Sequence, residues 1–226
     1  STVVNGSAST LSASLTREAP GVRVYFRVAA TNALGTSNFS SAYSLQMPYL
    51  QASAVQNFDA KDMGSYVAAS WAPPADRGGS QSLYYYVQYS VNGGNNWVNY
   101  VSTTATSYNV ARPAKGTSAL YRVVAVTAFG AGVPSQAVSV TSPATVPSVP
   151  SIRSLVLNPD LTSTLTFNGP SDLGGSPLVR FVVETSINGG AWSVLTTTTA
   201  AGGPIAVPAQ APGVRIYVRV SAVNGI

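Results

Sequence analysis

An internal period of about 96 residues constrains this chain more than any other feature. Residues 71–79 read Trp-Ala-Pro-Pro-Ala-Asp-Arg-Gly-Gly, and residues 167–175, 96 positions on, read Phe-Asn-Gly-Pro-Ser-Asp-Leu-Gly-Gly. Asn92-Gly93-Gly94 before Trp97 is matched by Asn188-Gly189-Gly190 before Trp192. A third signature occurs three times, beginning at Gly21, Gly116 and Gly213, with Arg27, Arg122 and Arg219 at one position of it. Self-similarity at a fixed period means that one supersecondary unit is repeated, so each unit must find its core within roughly a hundred residues.

The pattern inside the unit is that of strands. Val67 to Trp71 alternates and ends at Pro73-Pro74, where a ladder loses its donors. Asp76 with Gly78-Gly79 marks a turn, residues 82–90 are rich in strand formers, and Asn92-Gly93-Gly94 supplies the positive φ of a hairpin before Trp97 to Val101 returns. Residues 119–127 form the next strand, Gly130-Ala131-Gly132 is expected to turn it, and Ala137 to Val140 closes the unit. About seven short strands with turns every 8–12 residues specify an all-β sandwich. Charged residues make up only 8% of the chain, against roughly 25% in an ordinary soluble domain, and no sustained helical stripe is present.

The register also predicts how the chain is cut. Ser1 aligns with Ser193 and Ile226 with Leu34, which implies part of a domain over 1–47, a complete domain over 48–146, and a domain lacking its last strand over 147–226. An excerpt of a longer array gives such ends, and so does strand exchange between neighbouring chains.

The order Trp-x-Pro-Pro-x-Asp-x-Gly-Gly, then Tyr85-x-Val87-x-Tyr89, then Arg27-Val28-x-Ala30-x-Asn32-x-x-Gly35, resembles the fibronectin type III family over essentially the whole chain. The resemblance implies tandem immunoglobulin-like sandwiches. One departure marks a divergent, bacterial-type subfamily: the family's corner tyrosine is replaced by Val24, Ala119 and Ile216. Alternation turns Val24, Phe26, Val28 and Ala30 inward.

Catalysis is not expected. With neither His nor Cys, the commonest general bases, nucleophiles and soft metal ligands are missing, so catalytic, cofactor-binding and metal residues are all read as none. Asp76 and Asp172 recur one period apart, as turn caps do, rather than as paired acid and base. Asn57, Asp59 and Asp62 read as a solvated turn too sparse for Ca²⁺. Lys61 and Lys115 have no counterparts in the other repeats. The net charge of +5 is scattered singly, which excludes a phosphate-tracking face and so a nucleic-acid partner. No apolar run is long enough to span a membrane. The Asn-x-Ser tripeptides at Asn5 and Asn38 are short enough to arise by chance.

Contact is the chemistry left. Tyr84 and Tyr86 alternate with inward Tyr85 and Val87, so they face outward together with Leu120, Arg122 and Val124 of the 119–127 strand. An aromatic face with arginine is the composition of a protein-contact surface. Prolines spaced through 142–150 stiffen the joint between repeats, and short stiff joints predict an elongated rod. The expected function is a non-catalytic structural or adhesive module of a secreted or cell-surface protein, forming or decorating a filament, stalk or surface layer. Its partners are neighbouring repeats and other copies, with a surface polysaccharide or protein ligand admitted. Spacers in a secreted polysaccharide-degrading enzyme and decorations of a phage tail or virion are the alternatives.

Overall fold

The computed structural model describes Gly6 and residues 12–226, and its longest strands run ten residues. Ser1 and Asn5, used above for the register and the glycosylation tripeptide, lie outside the described residues. The first segment holds β1 (Arg23–Phe26), β2 (Thr31–Asn32), β3 (Gly35–Thr36) and β4 (Tyr43–Gln46), with β1 antiparallel to β4 and β2 to β3. Val24 and Phe26 are half-buried as alternation requires, but Val28 is 73% exposed and Ala30 is exposed as well. Among the described residues, the two-strand pairings of this segment give them no second sheet to pack on.

The middle segment holds β5 (Gln56–Asp62), β6 (Val67–Ala72), β7 (Tyr84–Ser90), β8 (Val98–Thr103), β9 (Ser107–Val110), β10 (Ser118–Thr127), β11 (Gly130–Pro134) and β12 (Val138–Thr141). One sheet runs β5-β6-β9; the other runs β11-β10-β7-β8, with β12 also on β10. Trp71 on the first sheet meets Tyr85 on the second edge to face, with ring centroids 5.4 Å apart. Val67, Ala69 and Trp71 are buried on β6, and Ala119, Tyr121, Val123 and Ala125 on β10. β6 and β10 up to Val123 keep the period of two of a strand with one face on a core, while residues 123–127 of β10 are buried on both faces.

Two expectations need correction. Gly130-Ala131-Gly132 is not the turn, because Ala128 and Phe129 make it and Gly130 already pairs with Thr127 at the start of β11. Asn57, Asp59 and Asp62 sit on β5 rather than in a turn, with Asp62 gripped by both ends of the Arg112 guanidinium at 2.7 and 2.6 Å.

The last segment repeats the plan with β13 (Ser151–Leu157), β14 (Ser163–Asn168), β15 (Leu178–Ile187), β16 (Ser193–Thr198), β17 (Ile205–Val207) and β18 (Ile216–Asn224). Its sheets run β13-β14-β17 and β16-β15-β18. Phe167 and Phe181, one period from Trp71 and Tyr85, form the matching inter-sheet pair at 5.0 Å within a core of Leu165, Val183, Val207 and Val220.

The comparison exposes a cost in the middle repeat. Trp71 Nε1 is buried with no hydrogen-bond partner among the described residues, where Phe167 carries no N–H. An unmade buried bond costs about 1–3 kcal/mol. Trp71→Phe should therefore leave the unfolding free energy from urea denaturation within about 1 kcal/mol of the parent, the lost ring area being offset by the lost orphan. A loss above about 3 kcal/mol would show that the indole nitrogen is satisfied after all.

By contact density the chain forms two compact units. One comprises Ser1–Lys61, Ala68–Val110 and Leu120–Val138; the other comprises Asp62–Val67, Ala111–Ala119 and Ser139–Ile226. The turn at Lys115-Gly116 thus groups with the repeat that follows it.

Candidate functional site

Alternation places the residues of the proposed contact face on one side of β7 and β10, with unequal exposure. On β7 and β10, Tyr86 lies opposite Val124 and Gln88 opposite Arg122. Tyr84, Tyr86, Leu120 and Arg122 are half-buried on this face, while Val124 is only 5% exposed and offers no free surface. Tyr84 and Tyr86 meet edge to face at 5.4 Å, and the side-chain hydrogen bond between them, in which Tyr84 keeps its proton, is the leading cause of a raised Tyr84 pKa.

Arg122 is also engaged within its own sandwich. Its guanidinium stacks 3.9 Å from the Trp97 ring centroid, and its Nε donates to Gln88 Oε1 at 2.7 Å. The last repeat builds the same stack from Arg219 over Trp192 at 4.3 Å, with Glu184 taking two bonds at 2.8 and 3.1 Å. The first segment lays Arg27 over Phe39 at 3.8 Å. An arginine on an aromatic face recurs at every copy, a cross-strand stabilisation worth about 0.5–1 kcal/mol at exposed sites. Sequence periodicity found the arginines and, separately, Trp97 and Trp192, but not that they stack, because each aromatic residue lies outside the arginine's strand.

A second site lies where repeats meet, and it is built from two kinds of turn. The first is Asp-x-Gly-Gly, at Asp76–Gly79 and Asp172–Gly175, in which all four glycines hold φ between 67° and 84°. The second precedes the arginine-bearing strand, at Pro20-Gly21, Lys115-Gly116 and Pro212-Gly213, with φ of 76°, 74° and 84° at its glycines. Positive φ is the reason for glycine in both.

Identical bonds fasten each Asp-x-Gly-Gly turn to the chain entering its repeat. Around Asp76, Gly78 N donates to Asp76 Oδ1 at 2.7 Å, Ser53 N to Asp76 O at 2.9 Å, Asp76 N to Ser53 Oγ at 3.2 Å, and Leu50 N to Gly78 O at 3.1 Å. Around Asp172 the same four bonds measure 2.8, 2.8, 3.1 and 2.8 Å, with Ser148 in the place of Ser53 and Thr145 in that of Leu50. The proline-spaced joint is therefore hydrogen-bonded along its length.

Each fastened turn then lies backbone to backbone against the other kind of turn from the preceding repeat. A Cβ on Gly79 would stand 2.7 Å from the Pro20 carbonyl oxygen, and one on Gly21 would stand 3.3 Å from Gly79 Cα. In the second junction a Cβ on Gly116 would fall on the Gly175 carbonyl oxygen, and one on Gly175 on the Lys115 carbonyl oxygen. Neither place has room for a side chain.

The two junctions differ in what seals them. In the first, Tyr49 closes over Gly21 and stacks on Phe129 at 4.2 Å. In the second, Tyr49 is replaced by Ala144, and Lys115 Nζ reaches Asp172 Oδ2 at 2.5 Å. Asn224 Nδ2 adds bonds to the carbonyls of Thr145 and Leu173 at 2.8 and 3.0 Å. Lys115, which has no counterpart in the other repeats, belongs to this junction.

Two sheets of order β5-β6-β9 and β11-β10-β7-β8, the arginine strand central in the second, decide the architecture. The repeats have the fibronectin type III fold. No family model matches the chain. Slow-type myosin-binding protein C of Rattus norvegicus is 23% identical over 176 residues, covering 69% of this chain and 28% of that protein. The Homo sapiens protein of the same description is 27% identical over 122 residues, 53% of this chain and 11% of its own. The chain thus spans under a third of these curated relatives. Among solved structures, the titin domains A168–A170 are 22% identical, with a TM-score of 0.39, covering 53% of this chain and 40% of theirs. The chicken CNTN1 FN1–FN3 domains are 16% identical, with a TM-score of 0.40, covering 91% and 71%. Rat CD45 extracellular domains d3–d4 are 10% identical, with a TM-score of 0.48, covering 62% and 75%.

The ion pair gives the second junction a pH dependence. Asp172 is held below its ordinary 3.8, first by the hydrogen bond from Lys115 and then by that from Gly174 N–H. A carboxyl depressed on folding contributes stability that is complete above 3.8 and is lost as pH falls through the lower folded value. On acid titration the Gly174 amide shift should step below pH 3.8, and Lys115→Ala should move that step upward. A step unmoved by the substitution would mean that Lys115 does not hold the carboxylate.

Proposed function

We propose that this chain is a non-catalytic structural segment of a long secreted or cell-surface protein, in which backbone-locked junctions hold successive fibronectin type III-like repeats as a semi-rigid spacer. One observation carries the reading: two successive junctions, with different side chains around them, use the same four hydrogen bonds and the same glycine-to-backbone contact. Such repetition serves the joint itself, since a flexible connection needs none of it. The boundaries proposed from the sequence register, 1–47, 48–146 and 147–226, place both joints between repeats. A sparsely charged surface rich in Ser and Thr suits exposure outside the cell, in a stalk, filament or surface layer.

Limited thermolysin digestion tests the joint. The segment 142–150 should resist cleavage as long as the sandwiches stay folded, because Thr145 and Ser148 donate their amides to the Asp172–Gly175 turn. Rapid cutting there, with release of intact sandwiches, would make the segment a loose tether. The half-buried Tyr84 and Tyr86 pair is a second proposed contact, with a neighbouring copy as its partner. Converting both to Ser should weaken self-association in sedimentation without lowering the melting temperature; unchanged association discards that contact.

A further inference from the structure

Two Asp-x-Gly-Gly turns and three Pro/Lys-Gly turns leave one turn over. Pro20-Gly21 takes Gly79 and Lys115-Gly116 takes Gly175, but a Cβ placed on Gly213 meets nothing within 4 Å among the described residues. Gly213 nonetheless keeps the φ of its engaged equivalents, 84° against 76° and 74°. The turn is closed in the same way too: Val214 N donates to Ala211 O at 3.1 Å, as Val22 N does to Ala19 O at 3.3 Å and Thr117 N to Ala114 O at 3.0 Å. It is preformed without its partner.

The kind of partner can be read from the sequence around it. Residues 211–215, Ala-Pro-Gly-Val-Arg, are identical to residues 19–23, the turn of the first junction. Position 212 is proline, as position 20 is, and cannot supply the ammonium with which Lys115 holds Asp172. The first junction manages without that ion pair because its incoming repeat brings Tyr49, which covers the glycine and stacks on Phe129 of the same repeat.

We propose that the turn Ala211–Val214 is a docking site for a further repeat of the middle kind, one that presents an Asp-x-Gly-Gly turn together with a tyrosine at the position of Tyr49. This rests on the junction reading above and extends it by naming the partner. The interface would be the first junction again: glycine backbone against the Pro212 carbonyl, with the tyrosine ring over Gly213.

The test compares three forms of the full chain by hydrogen exchange of a peptide spanning 208–217, a sequence that occurs once. The first is the chain itself. The second is extended after Ile226 by a copy of residues 35–47, which the register places next and which supplies the closing strand and the residue equivalent to Met47. The third is extended by a copy of residues 35–146, which adds a middle repeat. Met47 N donates to Val22 O at 2.8 Å in the first junction, so the short extension is expected to give some protection by itself. Docking predicts a further slowing of about tenfold or more in the third form. It also predicts a return to the level of the second form when the added copy carries Val for its equivalents of Gly78 and Gly79. Equal exchange in the second and third forms would overturn the docking proposal while leaving the two observed junctions standing. If Gly79→Val in the unextended chain failed to speed exchange around Gly21, the junction reading itself would fall.

Discussion

Gly175→Ala should destabilise the chain by about 3 kcal/mol or more, roughly double the cost of Gly93→Ala at a position of similar backbone angle. The pair separates two reasons for glycine. Gly93 and Gly175 have φ of 72° and 77°, so a side chain at either bears a left-handed penalty of about 1–2 kcal/mol. A Cβ at Gly93 then enters open space, whereas one at Gly175 collides with the Lys115 carbonyl and the amide nitrogen of Gly116. Backbone cannot rotate aside as a long side chain can, so the junction must part. Urea denaturation followed by far-ultraviolet circular dichroism measures both costs. Equal losses at the two positions would show that the Gly175 turn bears on nothing beyond its own repeat.

The second large effect belongs to the core of the last repeat. Phe181 is fully buried on β15 and meets Phe167 of the facing sheet at 5.0 Å. Truncating such a ring costs about 3–5 kcal/mol, the lost transfer energy plus the cavity left behind. A small sandwich without a disulfide has little more stability than that to lose. Phe181→Ala should therefore collapse amide dispersion for residues 151–226 while the strands from β5 to β12 keep theirs. A folded last repeat losing less than about 1.5 kcal/mol would mean that the two sheets close around the missing ring.

Much of the fold was legible because its causes are local. Proline stopped β6 where expected, Gly93 and Gly94 turned the hairpin into β8, and alternation placed Tyr85 and Val87 inward. The turn at Gly130 was misplaced by two residues because glycine serves a strand start next to a turn as readily as the turn itself. The face of Tyr84, Tyr86, Leu120 and Arg122 came from the same alternation, which could not show that Val124 is covered or that Arg122 rests on Trp97.

The junction was half legible. Asp76 and Asp172 were readable as turn caps, and each does accept the amide two residues on. Their meeting with turns of the preceding repeat was not readable, because those contacts join residues nearly sixty positions apart through backbone atoms that leave no side-chain pattern. Lys115 and Asp172 are separated by 57 residues. The available signal was the threefold glycine at 21, 116 and 213, recurring one period apart with no need of its own for a hairpin.

Nitrogen-15 relaxation of the whole chain tests the locked junction most directly. If the proposed lock holds, amides in β7 and β10 should give the same rotational correlation time as those in β15 and β18, well above that of one isolated sandwich. Gly175→Ala should split the two values. Distinct, short correlation times in the unmodified chain would contradict the locked junction and leave these repeats as beads on a flexible string.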